Sequence, residues 1–184
     1  NVNVCVFARA LEKDILIAKE VTRNLKNAKI QIVSPVSDLQ IKYSVNVNKE
    51  QIVVQLKESI LLAKNFFKQI QFTAQDATRA NSSYLKKILR VAVEHGASSL
   101  CLPDTTGFST PAEYSGLIKV VKKQFMRNKK IKISAHCHND LGLATANTLA
   151  AIESGADQIE CTISGLGERA GNAPLEEIIA ILNL

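Results

Sequence analysis

Six short apolar segments alternate with helical stretches along the whole chain, and this alternation limits the fold more than any other feature. Predicted strands lie at residues 2–7, 30–33, 70–73, 99–102, 131–135 and 158–162. Several are almost continuous apolar runs, as expected of parallel strands that are covered on both faces. Short joints between strands and helices then predict an α/β fold with one parallel sheet, doubly wound or barrel-shaped.

The intervening helices have recognisable ends. The run Thr110-Pro111-Ala112-Glu113 is a capping box with proline at the first helical position. Asn48 is expected to cap a helix that runs to about residue 66, and Ser82 or Ser83 the helix that stops at Gly96. Further helices are predicted at residues 11–24 and 143–154 and from about Pro174.

Polar motifs at residues 72–79, 102–107, 136–142 and 165–172 favour the barrel over the doubly wound sheet. They all follow strands, which is where a (β/α)₈ barrel builds its active site, and neither usual phosphate-binding glycine loop is present. Such barrels need eight strands and about 250 residues. We therefore expect an incomplete TIM (β/α)₈ barrel of about six βα units, with residues 1–184 forming a single partial domain without linkers.

Composition excludes several other classes. No apolar run is long enough to span a bilayer, and the first residues lack the pattern of a signal peptide. The cysteines at 5, 101, 137 and 161 form no CxxC pair, which favours reduced thiols and a cytoplasmic location. The absence of an initiator methionine suggests a chain cut from a longer one.

The net charge of +6 is concentrated near one helix end, at Lys119, Lys122, Lys123, Arg127, Lys129, Lys130 and Lys132. A nucleic-acid patch is one interpretation of this cluster. A solvated helix end is favoured, because aromatic residues make up only 5% of the chain and no nucleic-acid-reading motif is present.

The run His136-Cys137-His138-Asn139-Asp140 ends the fifth predicted strand. Side chains two positions apart on a strand point the same way, so His136 and His138 should project together and Cys137 away from them. Two imidazoles on one side of a strand end can share a divalent metal. Isolated core or surface histidines are the alternative, and the polar motifs downstream weigh against it.

Three more polar motifs follow the third, fourth and sixth strands, at residues 72–79, 102–107 and 165–172. Each alone is weak evidence: Asp104 and Gly107 are ordinary turn residues, and Asp76 with Arg79 fits a surface ion pair. Four such motifs at the same end of successive strands should line one mouth.

The runs His-x-His-Asn-Asp-x-Gly (136–142) and Gly-x-Gly-Glu-Arg-Ala-Gly-Asn (165–172) resemble those of the acetyl-CoA-dependent Claisen-condensing enzymes. This family comprises the 2-isopropylmalate, homocitrate and citramalate synthases, which are relatives of hydroxymethylglutaryl-CoA lyase. The resemblance covers essentially all residues and places the six units at strands 3 to 8 of the family barrel. Residues 7–15 and 171–177 are most similar to the 2-isopropylmalate synthase branch.

The resemblance implies a set of site residues. His136, His138 and Asn172 would bind a divalent metal, Mn²⁺, Mg²⁺ or Zn²⁺. Thr73 and Thr105 would contact a 2-oxo acid, while Gln75, Pro103 and Gly171 would lie near the co-substrate acetyl-CoA. The candidate catalytic residues are Gln75, Arg79 and Glu168. The full-length protein is expected to be a homodimer with small-molecule substrates and no nucleic-acid or membrane partner.

The chain also departs from the family pattern. The Arg-Asp-Gly metal motif of the first barrel strand, the first two βα units and the C-terminal regulatory domain are not among these 184 residues. A Thr-Ser pair, a His and a Lys of the family are Val36-Ser37, Gln40 and Ser44 here, and a Glu is Gln75. Gln75 cannot accept a proton at neutral pH.

Three hypotheses follow. The chain belongs to a metal-dependent acyltransferase that condenses acetyl-CoA with 2-oxoisovalerate in leucine biosynthesis, or to a relative acting on another 2-oxo acid. Alternatively it is a catalytically impaired remnant or scaffold of the same ancestry. The third hypothesis, a basic nucleic-acid-binding domain, rests only on the lysine cluster.

Overall fold

The computed structural model describes residues 3–126 and 130–184 of the chain. Within these residues the strands are β1 Cys5–Arg9, β2 Lys29–Pro35, β3 Gln69–Gln75, β4 Ser99–Asp104, β5 Lys132–Cys137 and β6 Gln158–Glu160. The α-helices are α1 Glu12–Val21, α2 Asp38–Ser44, α3 Lys49–Ala63, α4 Ser82–His95, α5 Pro111–Phe125, α6 Ala144–Glu153 and α7 Leu175–Leu182. Short 3₁₀ turns occupy Ala77–Arg79 and Ile163–Gly165.

The strand order in the sheet, β1-β2-β3-β4-β5-β6, is the order of the chain. The pairs β1–β2, β2–β3 and β5–β6 are parallel, and helices connect successive strands. The predicted parallel α/β architecture, an incomplete barrel of six βα units, is confirmed.

Two compact units make up the chain. Unit 1 contains residues up to Gln75 together with Ala80–Leu100, and unit 2 contains Asp76–Arg79 with Cys101–Leu184.

In unit 1 the two faces of the sheet have different chemistry. Ile30 pairs with Ile70 and Ile32 with Phe72 across β2 and β3, and all four are buried. Apolar helix residues are buried as well, among them Ile15, Ala18, Ile52, Leu56, Ile60, Ile88 and Leu89. Side chains between these strand positions are polar and hydrogen-bond across strands: Lys29 Nζ donates to Gln71 Oε1 at 2.6 Å and Gln31 Nε2 to Thr73 Oγ1 at 2.8 Å.

In unit 2, Tyr114 of α5 is fully buried. Its hydroxyl donates to the Leu102 carbonyl at 2.6 Å and accepts from the His136 amide at 3.2 Å. The phenol therefore satisfies one backbone group of β4 and one of β5. Because an unpaired buried backbone group is costly, this contact fixes β5 at the residue that begins the histidine motif.

Several predicted boundaries are corrected. The first strand runs from Cys5 to Arg9 rather than over 2–7, because Ala8 and Arg9 still pair with β2; residue 2 lies outside the described residues. The sixth strand ends at Glu160, since Thr162 pairs instead with Pro174. The other four strands are longer at one or both ends than predicted.

The helices also differ from the predicted ones. Helix α1 spans Glu12–Val21 rather than residues 11–24, and α3 ends at Ala63 rather than near residue 66. Helix α2 was not predicted, although the Ser37 hydroxyl caps it by accepting from the Gln40 amide at 3.1 Å. Helix α4 is capped by Asn81 rather than by Ser82 or Ser83. The predicted capping box at Thr110 and the predicted N-cap at Asn48 are confirmed, and Gln51 completes a capping box at Asn48 that was not predicted.

The lysine cluster behaves as a helix end in the part that is described. Lys122 pairs with Asp157 at 2.8 Å, and Lys119, Lys123, Lys130 and Lys132 are exposed. Arg127 and Lys129 lie outside the described residues. Across residues 3–126 and 130–184, no helix combines the length and apolarity needed to cross a bilayer.

Candidate metal centre

His136 and His138 project from the same side of the end of β5. Their Nε2 atoms are 3.2 Å apart, and the ring planes meet at 75° with centroids 5.0 Å apart. Cys137 between them is fully buried. The predicted convergence of the two imidazoles is confirmed, and it follows from the two-residue period of a strand.

Asn172 lies next to His138. The two residues form an isolated antiparallel bridge, in which the Ala173 amide donates to the Cys137 carbonyl and the Asn139 amide to the Gly171 carbonyl. Asn172 Nδ2 donates to the Leu166 carbonyl at 3.2 Å, which orients the amide group. Its Oδ1 is buried and has no hydrogen-bond partner within the described part of the chain.

Gly167 leaves the space that this amide occupies. A Cβ at Gly167 would lie 2.0 Å from Asn172 Nδ2, a distance at which the atoms cannot coexist. Any side chain at Gly167 would therefore displace the Asn172 amide from its present position.

Both imidazoles favour the neutral state. Burial lowers the pKa of His136, although the carboxylate of Glu160 opposes this shift. Burial also lowers the pKa of His138, and the neighbouring His136 adds to the effect. Because metal ligation requires the neutral imidazole, the lowered pKa values of His136 and His138 favour the form of each ring that can bind a metal.

The donor set fits one divalent cation. A separation of 3.2 Å between the Nε2 atoms is less than twice the metal–nitrogen distance of about 2.1 Å, so one ion can contact both. The buried Asn172 Oδ1 is an oxygen ligand of the kind that binds Mn²⁺, Mg²⁺ and Zn²⁺. Within the described residues no group of three or more His, Cys, Asp or Glu side chains has metal-binding geometry, so these residues supply a partial donor set.

Thr105, the predicted oxo-acid contact, follows β4 in unit 2. Its Oγ1 accepts a hydrogen bond from the Asp76 amide at 2.9 Å. One lone pair is thus used by the backbone while the hydroxyl proton stays available to donate to a ligand. Asp76 adopts a left-handed conformation, φ 66°, which a non-glycine residue rarely takes.

Arg79 and Asp76 form a pair that is not on the surface. Arg79 Nη2 lies 2.8 Å and Nε 2.9 Å from the carboxylate oxygens, and Asp76 is fully buried. This hydrogen bonding raises the pKa of Arg79. The interpretation of this pair as an exposed one is wrong, and the guanidinium of Arg79 is occupied in compensating the buried charge.

Arg169 joins three of the motifs. Its Nε and Nη2 bind the two oxygens of Asp140 at 2.6 and 2.8 Å, and Nη2 also donates to the Thr105 carbonyl at 2.8 Å. Arg169 itself is left-handed, φ 55°. Glu168, a candidate catalytic residue, has an 80% exposed side chain and is 3.6 Å from the same guanidinium.

The other predicted residues fall in both units. Pro103 is buried at the end of β4, and Gly171 is buried with its amide donating to the Glu168 carbonyl. Thr73 and Gln75 lie on β3 of unit 1. Thr73 accepts from Gln31, and the Gln75 carbonyl accepts from the Val36 amide at 3.0 Å.

Sequence reasoning missed two carboxylates, one fully buried and one half-buried. Asp104 was read as a turn residue, yet it is fully buried and accepts from Thr78, Ser109, Asn147 and the Phe108 amide. Its carbonyl also accepts from the His138 amide at 3.3 Å. Glu160, which faces His136, was missed as well. Its signal was its place on the strand that follows the histidines.

Fold and site together define an incomplete parallel (β/α) scaffold in which His136, His138 and Asn172 lie near the end of one strand. The sequence pattern of the HMGL-like family matches residues 1–184, and the chain belongs to this family. Among curated relatives, the 2-isopropylmalate synthase of Brevibacillus brevis is 39% identical over 182 residues. That of Ruminiclostridium cellulolyticum is 41% identical over 183 residues. Each alignment covers 99% or more of this chain but 36% of the relative, so the chain spans about a third of their length.

Solved structures support the fold. The hydroxymethylglutaryl-CoA lyase of Pseudomonas aeruginosa superposes with a TM-score of 0.83 at 18% identity, over 99% of this chain and 62% of the lyase. The HMG-CoA lyase of Brucella melitensis gives a TM-score of 0.79, also at 18% identity, over 98% of this chain and 65% of the lyase.

Proposed function

We propose that the protein is a metal-dependent acyltransferase of the 2-isopropylmalate synthase type, which condenses acetyl-CoA with 2-oxoisovalerate. The observation that carries the proposal is that His136 Nε2 and His138 Nε2 lie 3.2 Å apart and that Asn172, with its buried amide oxygen, bridges to His138. Relatives about 40% identical over this whole stretch are named 2-isopropylmalate synthase, which supports the choice within the family.

In this proposal each part of the site has a separate task. A bound divalent cation would polarise the keto group of a 2-oxo acid. The Thr105 hydroxyl, held from behind by the Asp76 amide, would donate to the carboxylate of that acid. Arg169 would hold the loops after β4, β5 and β6 in one arrangement. Glu168, exposed beside it, is the candidate for proton transfer.

A catalytically impaired remnant is the second candidate, and specific residues favour it. Val36, where the family has a polar residue, is completely buried, and its backbone amide donates its hydrogen bond to the Gln75 carbonyl. Ser37 is used as a helix cap. Gln75 offers an amide where a carboxylate is usual, so part of the substrate-contacting chemistry is missing.

Thiol release from acetyl-CoA tests these alternatives in the full-length protein. With Mn²⁺, Mg²⁺ or Zn²⁺ supplied, we expect release with 2-oxoisovalerate that exceeds release with pyruvate or 2-oxoglutarate. Preference for either of the latter would identify a relative with another 2-oxo acid. No release with any of the three acids would support the remnant and contradict the proposed activity.

A further inference from the structure

The register of β5 and β6 places a carboxylate opposite the first histidine. The strands are parallel, with His136 paired to Glu160 and Ser134 to Gln158. Glu160 Oε2 is 3.6 Å from His136 Nδ1, and the two side chains are only 22% and 25% exposed. Paired residues of adjacent strands share a face, so this proximity is set by the backbone rather than by a chance rotamer.

Neighbouring polar groups hold the carboxylate in place. Glu160 Oε1 accepts from the Ser134 hydroxyl at 2.9 Å and from Gln158 Nε2 at 3.4 Å. Gln158 Nε2 also donates to the Ser134 hydroxyl at 3.0 Å. With one oxygen fixed by these donors, the other is directed at the imidazole.

Glu160 Oε2 is placed to accept a hydrogen bond from His136 Nδ1. His136 Nδ1 is buried and has no hydrogen-bond partner among residues 3–126 and 130–184, whereas its Nε2 faces His138. A neutral imidazole that ligates through Nε2 carries its proton on Nδ1, and metal-bound histidines nearly always donate that proton to a carboxylate, carbonyl or water. A movement of about 0.7 Å would bring Glu160 Oε2 to normal hydrogen-bond distance.

We propose that Glu160 is a positioning residue for the metal centre, which accepts the Nδ1 proton of His136 and thereby fixes the tautomer and direction of the ligating ring. The inference rests on the proposed metal site and adds to it a residue outside the donor set. Removing such an outer partner typically weakens metal binding 10- to 100-fold.

Co²⁺ binding to the full-length protein tests this role through affinity and through the visible absorption of the bound ion. Glu160→Leu removes both charge and acceptor, and we expect the dissociation constant to rise about 10- to 100-fold, with altered absorption bands. Glu160→Gln keeps an acceptor oxygen, so its loss should be smaller. Glu153→Gln, the same change at an exposed position on α6, should bind as the parent does.

A second readout does not depend on metal. In ¹⁵N-histidine spectra of the metal-free parent, His136 should be the Nδ1–H tautomer, and Glu160→Leu should shift it toward the Nε2–H form. Parent-like Co²⁺ affinity and an unchanged tautomer in Glu160→Leu would overturn the inference while leaving the metal site intact. Absence of Co²⁺ binding in the parent would instead overturn the proposed function. Glu160→Gln supplies the comparison if the leucine variant does not fold.

Discussion

The Nε2 atoms of His136 and His138 face each other across 3.2 Å, closer than two neutral imidazole acceptors would stand without a shared proton or cation. Burial lowers the pKa of both rings and so favours their neutral form. The buried amide oxygen of Asn172, which has no hydrogen-bond partner among the described residues, lies on the adjacent loop. A cation bound at this strand end would account for all of these features. Each of them can be perturbed separately.

Gly167→Ala should damage the site through Asn172 alone. The added methyl would lie 2.0 Å from Asn172 Nδ2, so the amide must move, and we expect metal affinity to fall at least about tenfold. Gly116→Ala on helix α5 is the matched control, because a Cβ added there would meet no described atom within 4 Å beyond the backbone of its own helix. That change should leave binding unaltered and stabilise the helix by about 0.5–1 kcal/mol. Equal metal affinities in the two variants would argue against Asn172 as a ligand.

Tyr114→Phe should destabilise the protein without creating a large cavity. It removes the partner of both the Leu102 carbonyl and the His136 amide, and each buried group left unpaired costs about 1–3 kcal/mol. Tyr84→Phe provides the comparison, since it removes a single bond to the Lys49 carbonyl. Urea unfolding should show the larger loss for Tyr114→Phe; a larger loss for Tyr84→Phe would contradict the bridging role.

The Asp140–Arg169 pair predicts a pH-dependent contribution to stability. Hydrogen bonding to Arg169 lowers the pKa of Asp140 below its unfolded value, which is about 3.9. The stabilisation is therefore complete above about pH 4 and is lost as pH falls through the folded pKa. Parent and Asp140→Asn should differ by about 0.5–1 kcal/mol at neutral pH, the range of partly exposed pairs. Urea titrations should show this difference shrinking toward pH 3, and a difference that grows with acidification would refute the assignment.

The cysteines should differ widely in reactivity. Cys5 is exposed, whereas Cys101 and Cys137 are fully buried, and burial raises the pKa of Cys137 to about 12. Because the thiolate is the reactive species, a maleimide at pH 8 should modify Cys5 rapidly and leave Cys101 and Cys137 untouched until the protein unfolds. Mass spectrometry of Cys5→Ser would reveal any early modification of Cys137, which would contradict the packing of β5.

The sequence predicts most of the fold because most strands and helices carry their own local signal. The capping boxes at Thr110 and Asn48 and the apolar strand runs depend on neighbouring residues only. Helix α2 was not predicted because its seven residues bury little beyond Ile41 and therefore show no apolar stripe. The strand ends shifted because pairing with the adjacent strand, rather than composition, decides where each one stops.

The features of the site also divide into those that the sequence predicts and those that it does not. The common direction of His136 and His138 follows from strand geometry and was predictable. The partners of Asp104 and Glu160 were not predictable, because the bonds of Asp104 to Thr78 and Asn147 and the pairing of Glu160 with His136 depend on long-range register. Polar residues in a turn look alike in sequence whether they are solvated or buried.

Manganese binding to the full-length protein tests the metal centre most directly. With free Mn²⁺ followed by electron paramagnetic resonance, the parent should bind one ion per chain. His136→Ala and His138→Ala should each weaken binding by about 100-fold or more, beyond the cost of losing an outer partner. His95→Ala, the same change at the end of helix α4, should bind as the parent does. Parent-like binding in either of the first two variants, or no binding in the parent, would contradict a cation shared by His136 and His138.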